Sequence, residues 1–218
     1  DEDLSRGLGD VYKRQGMKPI AGAEINHVRD NSSHHEHANL TLLAKNQIGY
    51  KNLIKLISKS QIAGKSSGTP VIETEWLAEH SNGLIALSGG FRGHIGKAVL
   101  DNNHDLFLKR IKYFQKIFEE DFILEISRIN RPQEDLYNEY IVSQAGELGL
   151  PVVASNEVRF IDKEDYEAHE TRVCIQKGEV LSDARRTRNY FENQYFLSPE
   201  EMYEKFKDIP EVLSNAYE

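Results

Sequence analysis

The chain has 218 residues, 39% of them apolar and 28% charged, a balance that suits one folded domain with a sizeable core and excludes a disordered or fibrous chain. No apolar run approaches the ~20 residues that a membrane-spanning helix needs, and the net charge of −8 argues against a principal nucleic-acid surface. The single cysteine, Cys174, excludes an internal disulfide and fits a reducing cytosol; within Val173-Cys174-Ile175 it reads as a small buried core residue rather than a nucleophile.

Residues 1–15 show no periodicity, and Leu4 to Gln15 looks like translated sequencing adapter, so this segment is expected to be non-native. On that expectation residues 16–218 are an internal piece of something larger. Pro19 to Ala23 reads as a strand that ends in Glu24, and His27 to Ala38 as a polar loop. Asn39 to Ala44 is a second buried strand. Gly49 to Ala63 has helical spacing, with Tyr50, Leu53, Ile54, Ile57 and Ile62 on the inward face and Gly64 as the stop. Lys65 to Pro70 is a Ser/Gly loop. Thr74 is expected to cap a short helix around Trp76-Leu77, and Ser81-Asn82-Gly83 turns into strand Leu84 to Leu87.

Gly93 to Leu100 reads as a helix, and Asp105 to Phe118 as a longer amphipathic one with Leu108, Ile111, Phe114, Ile117 and Phe118 inward. Phe122 to Ile126 is a strand. Pro132 is placed to open a helix that buries Leu136, Tyr140, Ile141 and Leu148 and ends at Gly149. Val152 to Ala154 is a buried strand that runs out into Ser155-Asn156-Glu157-Val158-Arg159. Glu164 to Gln176 is a helix closed by Gly178. Ser198-Pro199-Glu200-Glu201 combines a capping box with proline at the first helical position, and Met202 and Phe206 continue that helix.

Short apolar strands thus alternate with helices, the signature of βαβ units around a parallel sheet. The pattern leaves open whether that sheet is doubly wound or part of a barrel. No Gly-x-Gly-x-x-Gly follows the first strand, which argues against a dinucleotide site. In a barrel the C-terminal end of strand 152–154 is where chemistry would sit. It offers Glu157, which can ligate a metal, and Arg159, which cannot.

Several other residues invite a functional reading and have a plainer one. His34-His35-x-His37 lies beside Asn31-Ser32-Ser33 and reads as a solvated loop. Arg185-Arg186-Thr187-Arg188 is a short basic run on an acidic chain, a solvated loop or an interdomain contact. His169 reads as helix packing, and Glu73 and Glu75 as a helix start rather than an acid pair.

Lys18 to Glu24, Leu40 to Asn46, Gly49 to Leu53, Gly83 to Gly90, Leu150 to Arg159, Asp165 to Glu170 and Arg188 to Met202 together resemble, in order, the PHP (polymerase and histidinol phosphatase) domain at the front of bacterial DNA polymerase III alpha subunits. The resemblance covers essentially all of 16–218. It implies an α/β fold, a distorted parallel β/α barrel that is incomplete because its N-terminal strands lie upstream, and a chain that runs on into the polymerase region. It implies metal ligands at the C-terminal ends of the strands, where a multi-metal cluster activates water for phosphoester hydrolysis.

Set against that pattern, the positions of interest are Glu24, Asn39, Gly90, Glu157 and Arg159. Glu24 keeps a family carboxylate. Asn39 stands where a His precedes Leu-Thr-Leu, and an amide is a poor transition-metal ligand. Gly90 stands where active members often carry Cys. Glu157 and Arg159 stand at an Asp-x-His; the extra methylene of Glu shifts its oxygens by ~1.5 Å, and Arg brings a fixed positive charge. At an effective dielectric of ~20, a unit charge 4 Å from a divalent ion costs about 8 kcal/mol. Arg159 is therefore expected to fill the vacated pocket and pair with Glu24 or Glu157.

The resemblance then implies a vestigial metal site with Glu24 and Glu157 as its remaining candidate ligands, and no cofactor in this segment. The parent polypeptide would use Mg²⁺ for DNA-directed DNA synthesis in the cytoplasm, on carboxylates outside these residues. The segment would be a scaffold and a docking site for the proofreading exonuclease and other polymerase III subunits, with DNA reached through the parent polypeptide and no membrane contact. The alternative is a Zn²⁺- or Mn²⁺-dependent phosphoesterase or 3′–5′ exonuclease.

Overall fold

The computed structural model describes residues 14–16, 18–28, 37–66, 68–183 and 185–217. The adapter-like stretch up to residue 13, and His34 and His35, lie outside these residues. The chain divides into two compact units, 1–86 with 114–121 and 87–113 with 122–218.

In the first unit β1 (Gly22–Val28) and β2 (His37–Ala44) pair antiparallel, with Glu24 opposite Thr41 and Asn26 opposite Asn39. The expected all-parallel arrangement is corrected here. The reason is visible in the alternation: Ile25 and His27 on β1, and Ala38, Leu40 and Leu42 on β2, are buried, while Glu24, Asn26, Asn39 and Thr41 share the other, polar face. A sheet with one wet face is characteristically antiparallel. The first strand also begins later than expected and runs through Glu24, which sits in mid-strand. β1 pairs in parallel with the two-residue β5 (Ile72–Glu73), and the strand order is β5-β1-β2-β6, with β6 at Leu84–Leu87. Among the described residues this sheet does not close on itself. The expected Ser/Gly loop is a tight hairpin of β3 (Lys65–Ser66) and β4 (Thr69–Pro70).

Helix α1 (Gln47–Ile62) is capped by the Asn46 side chain, which accepts from the Ile48 and Gly49 amides. Its inward face is Gly49, Leu53, Leu56 and Ser60; Tyr50, Ile54, Ile57 and Ile62 are exposed, contrary to the spacing-based expectation. Backbone contact sets this rotation. A Cβ on Gly49 would lie 1.7 Å from the Gly83 carbonyl oxygen, so only glycine lets the helix come that close. In α2 (Thr74–Glu79) the N-cap position is Glu73 rather than Thr74, whose hydroxyl donates to the Val28 carbonyl.

The second unit carries β7 (Phe122–Ile126) and β8 (Val152–Ala154), paired in parallel with Leu124 opposite Val152 and Ile126 opposite Ala154. Its helices are α3 (His94–Leu100), most of α4 (His104–Phe118), α5 (Glu134–Leu148), α6 (Tyr166–Lys177), α7 (Pro199–Phe206) and α8 (Glu211–Ser214). Helix α4 buries Phe107, Ile111, Phe114 and Phe118, so Phe107 takes the place expected of Leu108. Helix α5 starts after Gln133, two residues later than expected, and buries Glu134, Tyr137, Asn138, Ile141 and Ala145, leaving Leu136 exposed. The capping box at Ser198 with Pro199, and the left-handed Gly178 that ends α6, are as the sequence indicates. Cys174 is buried in α6. No helix among the described residues is long and apolar enough to cross a membrane.

Candidate functional site

In the first unit the polar face of the β1–β2 ladder brings Glu24 and Asn39 together. They stand on a diagonal of the register, and the Asn39 side-chain amide donates to the Glu24 carboxylate. Glu24 is exposed and Asn39 half-buried. Of the tempting histidines, His37 lies on β2 opposite Val28 and is exposed.

In the second unit Ser88 follows β6. Its amide donates to the Ile123 carbonyl, and its hydroxyl accepts from the Glu125 amide. Gly89 and Gly90 come next, both in the left-handed region at φ 75° and 54°. A Cβ at Gly90 would meet nothing closer than 3.8 Å. It is backbone conformation, not lack of room, that disfavours any side chain there.

Strand β8 ends at Ala154, and the Ser155 amide donates to Ile126. The following loop is laced to residues 194 and 195. The Asn156 side chain donates to the Tyr195 carbonyl, the buried Gln194 side chain donates to the Glu157 carbonyl, and the Arg159 amide donates to the Gln194 carbonyl. Within the loop the Val158 amide reaches back to the Asn156 carbonyl at 2.6 Å, a three-residue turn. It interrupts strand alternation between Glu157 and Arg159.

Both oxygens of Glu157 accept from one terminal nitrogen of Arg131, at 2.8 and 2.7 Å, and the Ser127 hydroxyl lies 3.4 Å from one of them. The sequence reading offered Glu24 or Glu157 as the partner of Arg159; the guanidinium that holds both oxygens of Glu157 is Arg131. That side chain is 6% exposed and lies over the Phe91 ring at 4.7 Å, with Phe191 at 5.9 Å. A second carboxylate, Glu134, is buried at the start of α5. It accepts from the Ile129 and Asn130 amides and from Ser127. Burial raises its pKa above the usual carboxylate value, and Arg131 and these donors pull it back. Arg131 therefore serves two carboxylates in a largely dry pocket. Nothing in the local pattern Ser127-Arg128-Ile129-Asn130-Arg131 announces this; only the spatial return of the loop after β8 does.

Arg159 is half-buried and lines a cavity of about 370 Å³ with Phe160, Ile161, Asp165, His169 and Arg172. His169 packs against Phe160 and edge-on to Tyr190, the packing role its sequence position suggested. Arg186, read as part of a solvated loop or an interdomain contact, forms a buried ion pair with Glu170 at 2.5 Å, while Arg185 pairs with Asp183 at the surface. Among the described residues no three His, Cys, Asp or Glu side chains are grouped where they could hold a metal ion.

The family relationship agrees with the order of the matching stretches. The PHP domain model matches residues 9–129, more than half of the chain. The chain is similar to proteins named DNA polymerase III subunit alpha: 46% identical over 203 residues in Vibrio cholerae and 45% over 203 residues in Escherichia coli K12. Each of these matches covers 93% of this chain and 17% of the relative. The Pseudomonas fluorescens protein of that name is 42% identical over 221 residues, covering all of this chain and 19% of the relative. The chain thus spans under a fifth of the length of the curated relatives it matches, and it belongs to the PHP domain family.

Proposed function

We propose that this chain is the PHP portion of a DNA polymerase III alpha subunit, cytoplasmic, whose whole polypeptide extends DNA from nucleoside triphosphates, and that the PHP portion is a scaffold rather than a hydrolase. The names of the relatives support the first part. Phosphoryl transfer of that kind uses carboxylates that clamp two Mg²⁺ ions, and those carboxylates would lie elsewhere in the parent polypeptide.

The scaffold reading rests on one observation, the Arg131–Glu157 ion pair. A family metal cluster needs free carboxylates, imidazoles and often a thiolate. Here the carboxylate after β8 is already neutralised by a guanidinium, Arg159 adds a second fixed cation, Gly90 has no side chain and a backbone that disfavours one, and Asn39 offers an amide that is bonded to Glu24. These residues do not fit the multi-metal group. A domain so built supports its neighbours in the polypeptide and offers a surface on which the proofreading exonuclease docks.

Metal analysis of the full-length subunit is the test. Substoichiometric Zn, Mn and Fe is expected, together with no nuclease activity on adding Mn²⁺, whether or not Arg159→His is introduced. One or more tightly held ions per chain would overturn the scaffold reading while leaving family membership intact. Co-elution of the exonuclease with the subunit, weakened by destabilising this domain, is the matching check on docking.

A further inference from the structure

A groove of about 830 Å³ runs over the second unit, lined by Phe196, Met202, Tyr203, Leu213 and Tyr217 together with Glu201. Helix α7 supplies one wall, and α8 with the turn after it another. Three of its aromatic rings are left largely in water: Phe196 is 70% exposed, Tyr203 57% and Tyr217 88%. Single apolar side chains at a surface are ordinary, whereas a contiguous group marks a place where another surface sits. Tyr, Phe and Met are also enriched at protein interfaces. A small molecule fits less well, because ligand pockets enclose most of their ligand and these walls are open to solvent.

The charge at the rim has one sign. Glu201 belongs to the wall, where its carboxylate accepts from the Tyr195 hydroxyl and the Ser198 amide. Glu200 beside it is exposed. The lysine of α7, Lys205, turns away and donates to the Arg128 carbonyl at 2.9 Å. Lys207, just past the helix, is paired with Glu204. The chemistry that complements this groove is therefore apolar side chains flanked by Lys or Arg.

We infer that the groove holds a basic, amphipathic segment of the parent polypeptide itself, drawn from the part outside these residues. This rests on the reading of the chain as a portion of an alpha subunit, and it names the surface by which that portion supports its neighbours. More than four-fifths of each relative's length lies outside its match to this chain, so ample polypeptide is at hand. A tethered segment meets the groove at a high effective concentration, so a modest apolar contact with one or two rim charges holds it. A separate protein would need a far larger interface, about 1,200 Å² or more in total. The acidic rim repels a nucleic-acid backbone.

The test puts a photoreactive benzoyl-phenylalanine in place of Phe196 in the full-length subunit, purified alone. The protein is irradiated in dilute solution and the captured peptide is mapped by mass spectrometry. Phe196 is exposed enough to accept the larger side chain, and the position of Tyr203 serves the same purpose should that variant fail to fold. Capture is expected within one polypeptide, at a peptide outside residues 1–218 that carries apolar side chains next to Lys or Arg. Glu201→Gln, which keeps the cap of α7 and removes the charge, should lower the yield by about twofold or more, the size of an exposed charge pair. Capture only between two copies, at a yield that rises with concentration, would overturn the inference. So would capture only of the exonuclease once it is added, of a segment with no basic residue, or of nothing but the groove's own wall. An unchanged yield in Glu201→Gln would overturn it too. None of these results alters family membership or metal content, so a failure here leaves the scaffold reading standing.

Discussion

Glu157→Gln isolates the ion pair on which the scaffold reading depends. The substitution keeps the shape of the side chain and removes its charge. It leaves the Arg131 guanidinium 6% exposed, between Phe91 and Phe191. Breaking one side of a buried pair costs about 3–5 kcal/mol, because the remaining charge is left without its counterion. Two features place this case at the lower end. Glu157 is 19% exposed, so water reaches part of it, and Glu134 still neutralises Arg131 electrostatically. About 3 kcal/mol is expected. For a chain of this size each kcal/mol moves the midpoint by about 2–4 °C, so the thermal midpoint should fall by about 6–12 °C in scanning calorimetry at pH 7. The double replacement Arg131→Met with Glu157→Leu removes both charges and should recover to within about 1 kcal/mol of the wild type, since apolar substitutes for a buried pair are close to neutral. A loss under about 1 kcal/mol in Glu157→Gln would refute the reasoning. So would a double variant as unstable as the two single changes added together.

Gly49→Ala should destabilise the first unit by about 3 kcal/mol, read by urea unfolding, because the new Cβ would collide with the Gly83 carbonyl oxygen and backbone would have to move. Its counterpart is Gly146→Ala on α5, where nothing lies within 4 Å of the added carbon; that change should stabilise by about 0.5–1 kcal/mol. His169 gives a pH dependence. Its folded pKa is lowered from 6.5, by burial first, then by Arg172 and Arg159 against Glu170, so the folded state holds fewer protons than the unfolded state. Its contribution is complete above pH ~6.5 and is lost as pH falls below that, with a slope of at most about 1.4 kcal/mol per pH unit for one proton. Calorimetric midpoints between pH 5 and 7.5 should show a shallower acid slope in His169→Gln, and an unchanged slope would contradict the assignment.

What the sequence disclosed, and what it withheld, follows the range of the interactions involved. Caps and stops depend on residues within one turn, so Ser198-Pro199-Glu200-Glu201, Gly178 and Gly149 were legible. Helix faces depend on what approaches from elsewhere. Tyr50, Ile54 and Ile57 have the spacing of a core stripe, yet the Gly49–Gly83 contact turns them outward. Leu136 was misplaced for a related reason: Glu134 is buried because the Ile129 and Asn130 amides need its carboxylate, and that anchors α5 with Tyr137 and Asn138 inward. The antiparallel β1–β2 pair was carried by alternation that was present but read as an apolar run. Around the loop after β8, the sequence drew attention to Glu157 and Arg159, while Arg131, separated from Glu157 by 26 residues of sequence, carried no local signal at all.

The scaffold proposal turns on the identity of the cation beside Glu157. A divalent ion in such a place is exchangeable, leaves coordination positions open to water, and lowers the pKa of what binds there. A guanidinium neutralises the same carboxylate with none of these properties. It cannot dissociate, it has donors but no open coordination position, and it keeps its charge at every physiological pH. Arg131 also lies over the Phe91 ring, a contact a hydrated ion would not make. Its neighbours therefore adapt to a permanent charge. Glu134 is fixed by two backbone amides, and the loop after β8 is laced to Gln194 and Tyr195. Restoring a histidine at position 159 alone would leave all of this in place. Metal chemistry at this place would require removing Arg131 and freeing Glu157, and that change costs a few kcal/mol because the carboxylate is left without its counterion until a metal binds.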